Sequence, residues 1–260
     1  MTALESVAAD ARYAAEEKRF SVCTLVTDWD QYRTMLEAFH ARGFVAPDTE
    51  FLHLDNSRGN RFEGFGGVNL FLGTARGRYI ILCHQDVRLV DDGIDALEAR
   101  IKEIEYLDPY WAVLGNAGGS APGRLFIRIS DPHDGDTSRG PFPARVSGLD
   151  ENFLVVRRAA NLAVSYDIAG FHLYATDLCL VADVLGWSSY VIDFHLQHLS
   201  PGKADASFKL MRTKLVAKWR RALRARWAVS PSASLYVAAC GLATRLMNSG
   251  LGRKLARLRD

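Results

Sequence analysis

An α/β fold, with a mostly parallel sheet and helices on both faces, is what this 260-residue sequence predicts. Three observations point to it. Short apolar β-rich runs alternate with helical segments whose apolar residues recur at i, i+3, i+4 and i+7. Several of those runs are apolar throughout, the mark of strands buried on both faces. Polar clusters sit at the carboxyl ends of three strands, where open parallel sheets bind their ligands.

Phe20–Thr27 (FSVCTLVT) is the first such strand. Asp28 and Asp30 offer N-caps to a helix that places Tyr32, Met35, Leu36 and Phe39 on one face, and Gly43 stops it. Phe51–Leu54 is the next strand and ends in the turn-forming cluster Asp55-Asn56-Ser57. The Gly-rich stretch Asn60–Gly77 closes in a short helix around Leu70–Ala75. Tyr79–Cys83 (YIILC) is the third strand, and Asp91-Asp92 begin a helix with Ile94, Leu97, Ile101 and Ile104 inward. Trp111–Leu114 is a fourth strand, and Asp131–Pro143 (DPHDGDTSRGPFP) is a loop. Leu149–Arg157 resumes as a strand, Phe171–Leu185 is a helix with Leu178, Val181, Ala182 and Leu185 inward, and Val191–His198 alternates as a last strand.

Composition narrows the classes. A 48% apolar, 24% charged chain can bury a core of its own and is not a disordered one. Cys23, Cys83, Cys179 and Cys240 form no Cys-x-x-Cys pair, so neither a zinc knuckle nor a disulfide framework is indicated, and reduced core thiols are expected. Met1–Lys18 is Ala-rich, dotted with acids and without an apolar signal-peptide segment. No apolar run is long enough for a spanning helix. The chain carries +2 overall, but Lys203–Asp260 holds 14 Lys/Arg against two Asp, a net of +12 that leaves −10 on the rest. A basic tail on an acidic body points to an anionic partner. Three segments are therefore expected: an N-terminal helical extension (1–19), an α/β body (20–202) and a basic amphipathic helical tail (203–260).

The chemistry-bearing residues lie at the strand ends. Asp86 follows the third strand, and a nucleotide diphosphate needs a divalent cation that a carboxylate can hold. One carboxylate is a thin site, and His198, at the end of the last strand, is the best-placed partner. Asp86 capping a turn beside a surface His84 is the plainer alternative. Asp177 lies among apolar and aromatic residues, where a carboxylate must be hydrogen-bonded, metal-bound or functional. It suits a general base, and equally a helix N-cap. Asp55-Asn56 could hold a pyrimidine or form an Asx-turn. Gly64–Gly67 is loose backbone, neither GxGxxG nor GxxxxGK[ST], and no GxSxG elbow exists.

In order, these clusters resemble the GT-A-fold glycosyltransferases of family 2, especially the rhamnosyltransferase-like and StrF-like branch. Thr24–Thr27 resembles the first nucleotide-binding strand, and Leu54-Asp55-Asn56-Ser57 the "vDNsS" turn. Gly66-Gly67-Val68-Asn69 through Ala75–Ile80 is similar to the stretch before the metal strand, and Cys83-His84-Gln85-Asp86-Val87 stands where the family has DxD. Tyr166-Asp167, Gly170–Tyr174 and Asp177–Leu180 resemble "fDe..gfhfYd.DlclrA", and His198–Gly202 the "H.SgG" element. The resemblance spans residues 20–220. It implies an inverting, metal-dependent transfer from a nucleotide-diphosphate sugar to a hydroxyl of a saccharide or lipid-linked acceptor. The pathway it implies is bacterial cell-surface polysaccharide or lipopolysaccharide synthesis. Asp177 would be the catalytic base, and Asp86 and His198 the ligands of Mn2+ or Mg2+. Thr27, Asp28, Asp55, Asn56, Ser57, Asn69, His84, Gln85 and His172 would line the donor site. Two positions depart from the pattern: His84 replaces the first Asp of DxD, and Thr176 the acid often found before the base. Either His84 is a softer ligand, or Asp86 works with His198 alone.

Phe208–Trp227 interleaves Leu, Val and Trp with Lys and Arg, Ser234–Met247 is apolar apart from Arg245, and Arg253–Arg259 is basic. This pattern reads as amphipathic helices on an anionic membrane surface, with a solvated basic face packed on the acidic body and nucleic-acid binding as alternatives; the resemblance to family 2 favours the membrane, and Trp219, Trp227 and Tyr236 suit the interface. A cytoplasmic enzyme peripheral to the inner face of the membrane is the expectation. Two other readings stay open: a non-catalytic GT-A domain that binds a nucleotide sugar or docks a partner, and a nucleotidyltransferase. The latter normally carries a Gly-rich, Lys/Arg-bearing loop after the first strand, absent from Asp28–Arg33.

Overall fold

A computed structural model describes residues 18–132, 134–200 and 206–257. The chain divides into two units, Met1–Phe208 and Lys209–Asp260. The helical extension expected at the N-terminus falls almost wholly on residues 1–17, outside the described residues.

In the first unit, β1 (Lys18–Val26) is buried over most of its length. Asp28 then takes extended backbone, and its carboxylate accepts from the N–H groups of Asp30 and Gln31, capping α1 (Trp29–Ala41). Tyr32, Met35 and Phe39 bury the inner face of α1. At Gly43 φ is +93°, a left-handed turn that glycine adopts without a Cβ penalty. β2 (Thr49–Asp55) and, after α2 (Gly64–Thr74), β3 (Gly77–Cys83) pair parallel on either side of β1.

α2 begins six residues earlier than the Leu70 start expected, so Gly64–Gly67 is its first turn and not loose backbone. Close packing is the reason. A Cβ on Gly64 would meet the Gly170 carbonyl at 2.8 Å, and one on Gly67 the Leu25 side chain at 2.8 Å.

β4 (Val87–Arg88) is followed by α3 (Ile94–Leu107), which buries Leu97, Ile101 and Ile104. Asp91 and Asp92 precede α3 without capping it. Gly93 stands at the cap, and the Asp92 carboxylate accepts from the His195 N–H at 2.6 Å. Next come β5 (Trp111–Gly115), β6 (Ala117–Ala121), β7 (Arg124–Asp131), β8 (Gly135–Arg139), β9 (Ala144–Val146), β10 (Gly148–Leu149) and β11 (Phe153–Arg157). The segment expected as one loop from Asp131 is thus partly strand. β8 pairs antiparallel with β7, helped by the positive φ of Gly135 and a 2.6 Å Arg128–Asp136 ion pair.

α4 (Tyr174–Val184) buries Leu178 and Ala182, but Leu185, expected inward, is its exposed C-cap. The last expected strand splits into β12 (Ser188–Val191) and β13 (Leu196–His198), because the chain changes sheets between them.

The larger sheet has the order β2-β1-β3-β11-β5-β12-β9, and the smaller β10-β6-β7-β13-β4, with β8 on β7. Only β2–β1, β1–β3 and β5–β12 are parallel in the larger sheet, since β11 runs antiparallel to both neighbours and β9 antiparallel to β12. This reversal brings the start of β11 beside the end of β3. Phe20, Phe39, Phe44, Trp111, Phe153 and Phe194 are fully buried in one apolar core. Burial at this scale is the main stabilising contribution to the body. Cys23, Cys83 and Cys179 are buried free thiols and Cys240 an exposed one.

The second unit holds most of α5 (Ala206–Ala222), then β14 (Arg226–Ser230), β15 (Ala233–Val237), α6 (Gly241–Asn248) and α7 (Gly250–Arg257). The expected helices are present, but a hairpin interrupts them. Trp227 pairs with Tyr236 across it, aromatic and β-branched residues flanking a Pro231-Ser232 turn. The Asn248 amide bonds the Tyr236 N–H and carbonyl, each at 2.8 Å, and so ties α6 to β15. Among the described residues no helix is long and apolar enough to cross a membrane.

Gly77 tests the packing at the start of β3. Its N–H donates to Ser21 Oγ at 2.7 Å, and a Cβ there would lie 2.4 Å from the Ser21 nitrogen. Gly77→Ala should destabilise the folded chain by roughly 1–3 kcal/mol. Thermal or urea unfolding measures this, and an unchanged midpoint would contradict the close approach.

Candidate metal and donor site

β3 ends at Cys83 and releases His84, Gln85 and Asp86 at its carboxyl end. β13 then lies antiparallel on β4, with His198 opposite Val87 and the Leu199 N–H bonded to the Asp86 carbonyl at 3.1 Å. That pairing carries His198 to Asp86 across more than a hundred residues of chain. His198 Nε2 lies 3.4 Å from Asp86 Oδ1 and 3.4 Å from His84 Nδ1. One ligand atom from each of the three residues falls within 4.8 Å of the others, the only such His/Cys/Asp/Glu cluster found among the described residues.

These separations fit one cation bound at about 2.0–2.2 Å from each donor. The donor chemistry also fits. The Tyr174 hydroxyl donates to the Glu151 carbonyl at 3.3 Å and lies 3.2 Å from His84 Nε2. With its proton so directed, the hydroxyl accepts from His84 Nε2–H, which leaves the Nδ1 lone pair facing the cluster. Burial opposes the Asp86 carboxylate, but hydrogen bonds from His198 and Ser200 and the nearby imidazoles hold its pKa well below the usual carboxylate range. Burial likewise works against a charged His198, yet its bond to Asp86 raises its pKa. His84 is pushed the other way, by burial first and then by His198. Two imidazoles with one carboxylate form a softer set than the all-oxygen shell magnesium prefers, and they suit Mn2+.

The remaining expected donor-site residues divide into braces and open groups. Gln85 is a brace: its carbonyl accepts from the Thr27 and Asp28 N–H groups at 2.8 and 3.0 Å, and its amide donates to Thr27 Oγ at 2.8 Å. It locks the end of β1 to the end of β3. Asn56 is buried, and its side chain bonds Arg61 N, Phe62 N and the Phe62 carbonyl, closing the loop after β2. Asn69 does the same for Val164, through its N–H and its carbonyl. Asp55 accepts from the Ser57 N–H and hydroxyl, and Trp29 Nε1 donates to Ser57 Oγ at 3.3 Å. His172 packs edge-on against Phe208.

Asp177 sits in the first turn of α4 with no exposed surface. Its carboxylate oxygens accept from the Ser165 N–H at 2.6 Å and the Ser165 hydroxyl at 2.9 Å. In this arrangement it faces the Ser165 loop.

Two acidic residues beside the cluster escaped sequence reasoning. Asp150 is exposed, and its Oδ1 accepts from the Asn152 N–H and amide at 2.9 and 2.7 Å. The Asn152 carbonyl accepts from the His84 N–H at 3.0 Å. Partly buried Glu151 accepts from the N–H groups of Leu173, Tyr174 and Ala175 at the start of α4. Burial and the Asp150 charge nevertheless push its pKa up to about 8. Asp150, Glu151 and Asn152 fall inside the strand expected over Leu149–Arg157, but β10 ends at Leu149 and β11 starts at Phe153, so they form the connection that the reversal of β11 sets against His84.

No family model matches the chain. The protein "ATP synthase subunits region ORF 6" of Fuscovulum blasticum is 45% identical over 210 residues, 78% of this chain and 84% of that protein. Among solved structures, the mannosyltransferase PcManGT from Pyrobaculum calidifontis, in complex with GDP-Man and Mn2+, aligns with a TM-score of 0.51. The identity is 12%, over 84% of this chain and 67% of that one. The likeness shows the GT-A architecture for this chain: a mixed α/β fold with sheets flanked by helices.

Glu151 gives the site a pH signature. A carboxyl whose folded pKa is raised binds its proton more tightly folded than unfolded. It therefore contributes stability below the ordinary Glu pKa of about 4.3 and loses that contribution as pH rises toward 8. Between pH 5 and 8, wild-type stability should fall by roughly 1–3 kcal/mol more than that of Glu151→Gln. Urea unfolding across that range checks this, and parallel profiles would refute the raised pKa.

Proposed function

The chain belongs to the family of the Fuscovulum blasticum protein "ATP synthase subunits region ORF 6", and for it we propose a metal-dependent, inverting glycosyltransferase. Its substrates in this reading are a nucleotide-diphosphate sugar and a hydroxyl acceptor. The observation that carries it is the His84–Asp86–His198 cluster at the carboxyl end of β3 in a GT-A fold. The ordered motifs of the sequence support placement in family 2, and cell-surface polysaccharide synthesis as the pathway.

In this reading His84, Asp86 and His198 would hold Mn2+, which when bound offsets the charge of the diphosphate and of the departing nucleoside diphosphate. Thr27 and Asp28 stand at the end of β1, where the Gln85 brace fixes their backbone. Asp55, Ser57 and Trp29 form the rim on the β2 side and would meet the base. Asn56 and Asn69 act indirectly, by holding the loops that shape the pocket. The complete three-donor cluster favours turnover over a domain that only binds the donor.

The acceptor is proposed to be saccharide or lipid-linked because of the second unit. From 206 to 257 the chain carries 12 Lys/Arg and no Asp or Glu. Leu242 and Leu246 on α6, and Leu251 and Leu255 on α7, are exposed at helical spacing. Apolar side chains flanked by uncompensated positive charge match an anionic bilayer surface, for which each basic residue contributes about 1 kcal/mol.

Two experiments test these points. EDTA should abolish release of nucleoside diphosphate from a nucleotide-sugar panel, and Asp86→Ala should remove Mn2+-dependent donor binding by calorimetry. Donor binding indifferent to both would sink the metal assignment. Separately, the full chain should co-sediment with phosphatidylglycerol-containing vesicles and release as salt rises, but ignore pure phosphatidylcholine vesicles. Equal binding to both would reject the electrostatic surface.

A further inference from the structure

His198 reaches the cluster on a ladder of two residue pairs, and a ladder that short offers little to fix its own register. Burial of Leu196 decides which face β13 turns inward, but side chains along a strand repeat every second residue. A slide of two residues would keep the same face inward and carry His198 away from Asp86. Bonds to particular main-chain groups must therefore select the register. At the near end the Leu199 N–H bonds the Asp86 carbonyl at 3.1 Å. At the far end, one residue before β13, the partner is a side chain: Asp92 Oδ2 accepts the N–H of buried His195 at 2.6 Å. Bonds to a carboxylate acceptor are shorter and roughly twice as strong as neutral ones. β7 holds the imidazole of the same residue, with His195 Nε2 2.8 Å from Ser130 Oγ. Asp91, next along the chain, is exposed, and its Oδ2 stays 3.8 Å from His195 Nδ1, beyond hydrogen-bond reach.

We propose that Asp92 is a positioning residue of the metal centre: by holding the His195 N–H it fixes the register of β13 on β4, and so the place of His198 beside Asp86. The inference rests on the reading of His84, Asp86 and His198 as a metal site. Asp92 lies just beyond β4, on the same short stretch of chain as Asp86. That stretch thus supplies one ligand and the clamp on the strand that delivers another. The carboxylate is available for this because Gly93, and not Asp92, stands at the cap of α3. The Leu199 bond to Asp86 and the His195 bond to Asp92 bracket the ladder, and a two-residue slide breaks both. Without Asp92 the buried His195 N–H loses its acceptor, and the segment gains by moving to satisfy it. Metal affinity then falls in proportion to the fraction of chains that keep His198 in place.

The test uses the full chain and Mn2+ alone. Free Mn2+ is read by electron paramagnetic resonance, amide exchange of peptides covering His195–Leu199 by mass spectrometry, and folding by the unfolding temperature. Asp92→Ala should weaken Mn2+ binding by roughly 10-fold or more and speed exchange across that segment. Asp92→Asn keeps an oxygen acceptor without the charge and should bind Mn2+ within a few-fold of wild type. Asp91→Ala removes the neighbouring carboxylate and should also stay within a few-fold. Asp92→Ala that binds Mn2+ like wild type overturns the assignment, even with a lowered unfolding temperature. A loss of equal size in Asp92→Asn or Asp91→Ala also overturns it, since that loss follows charge and not the hydrogen bond. If Asp92→Ala does not fold, Asp92→Asn decides alone. Wild-type binding and exchange then uphold the assignment, and weakened binding or failure to fold overturns it. A wild-type chain that binds no Mn2+ overturns the metal site itself, and the assignment with it.

Discussion

Everything at the candidate centre depends on the pairing of β13 with β4. That ladder is short, with Gln197 opposite Arg88 and His198 opposite Val87, closed by the Leu199 N–H on the Asp86 carbonyl. A slip of one residue would turn His198 to the opposite face and leave Asp86 with His84 alone, because side chains alternate along a strand. The register is set partly outside the ladder. Leu196 is fully buried in the core, and β13 pairs parallel with β7 on its other side. Apolar burial thus fixes where an imidazole points.

The second constraint is the direction of β11. In an all-parallel sheet its neighbour β3 would end beside another strand's end, with a further loop above it. Because β11 runs the other way, its beginning meets the end of β3. Asp150, Glu151 and Asn152 therefore arrive at the site from the preceding turn. Glu151 spans from there to the start of α4, where backbone N–H groups and a favourable dipole receive it. Tyr174 then links the same turn to His84. The site is assembled from the ends of β3 and β13, the start of β11 and the start of α4.

Several of the expected donor-site residues use their side chains to brace backbone. Gln85 accepts from the Thr27 and Asp28 N–H groups and donates to the Thr27 hydroxyl, Asn56 bonds main-chain groups of its own loop, and Asn69 those of Val164. Such amides replace the ladder bonds a loop lacks, and a buried backbone polar group left unmatched costs about 1–3 kcal/mol.

From the residues alone came the alternation of strands and helices, the Asp28 cap, the first three strands and the pairing of Asp86 with His198. These signals are local: apolar periodicity, capping chemistry and polar residues at strand ends are written within a few positions of one another. The Gly64–Gly67 turn of α2, the β7–β8 hairpin, the split between β12 and β13 and the hairpin of the basic unit were not legible. Each is decided by what packs against it, or by a strand changing partners. The same holds for chemistry. Sequence marks Asp177 as a carboxylate among apolar neighbours and runs Asp150 into an expected strand. Only the tertiary structure decides that the first is buried with Ser165 bonded to both its oxygens while the second is exposed in the connection before β11, because exposure and orientation depend on neighbours far along the chain.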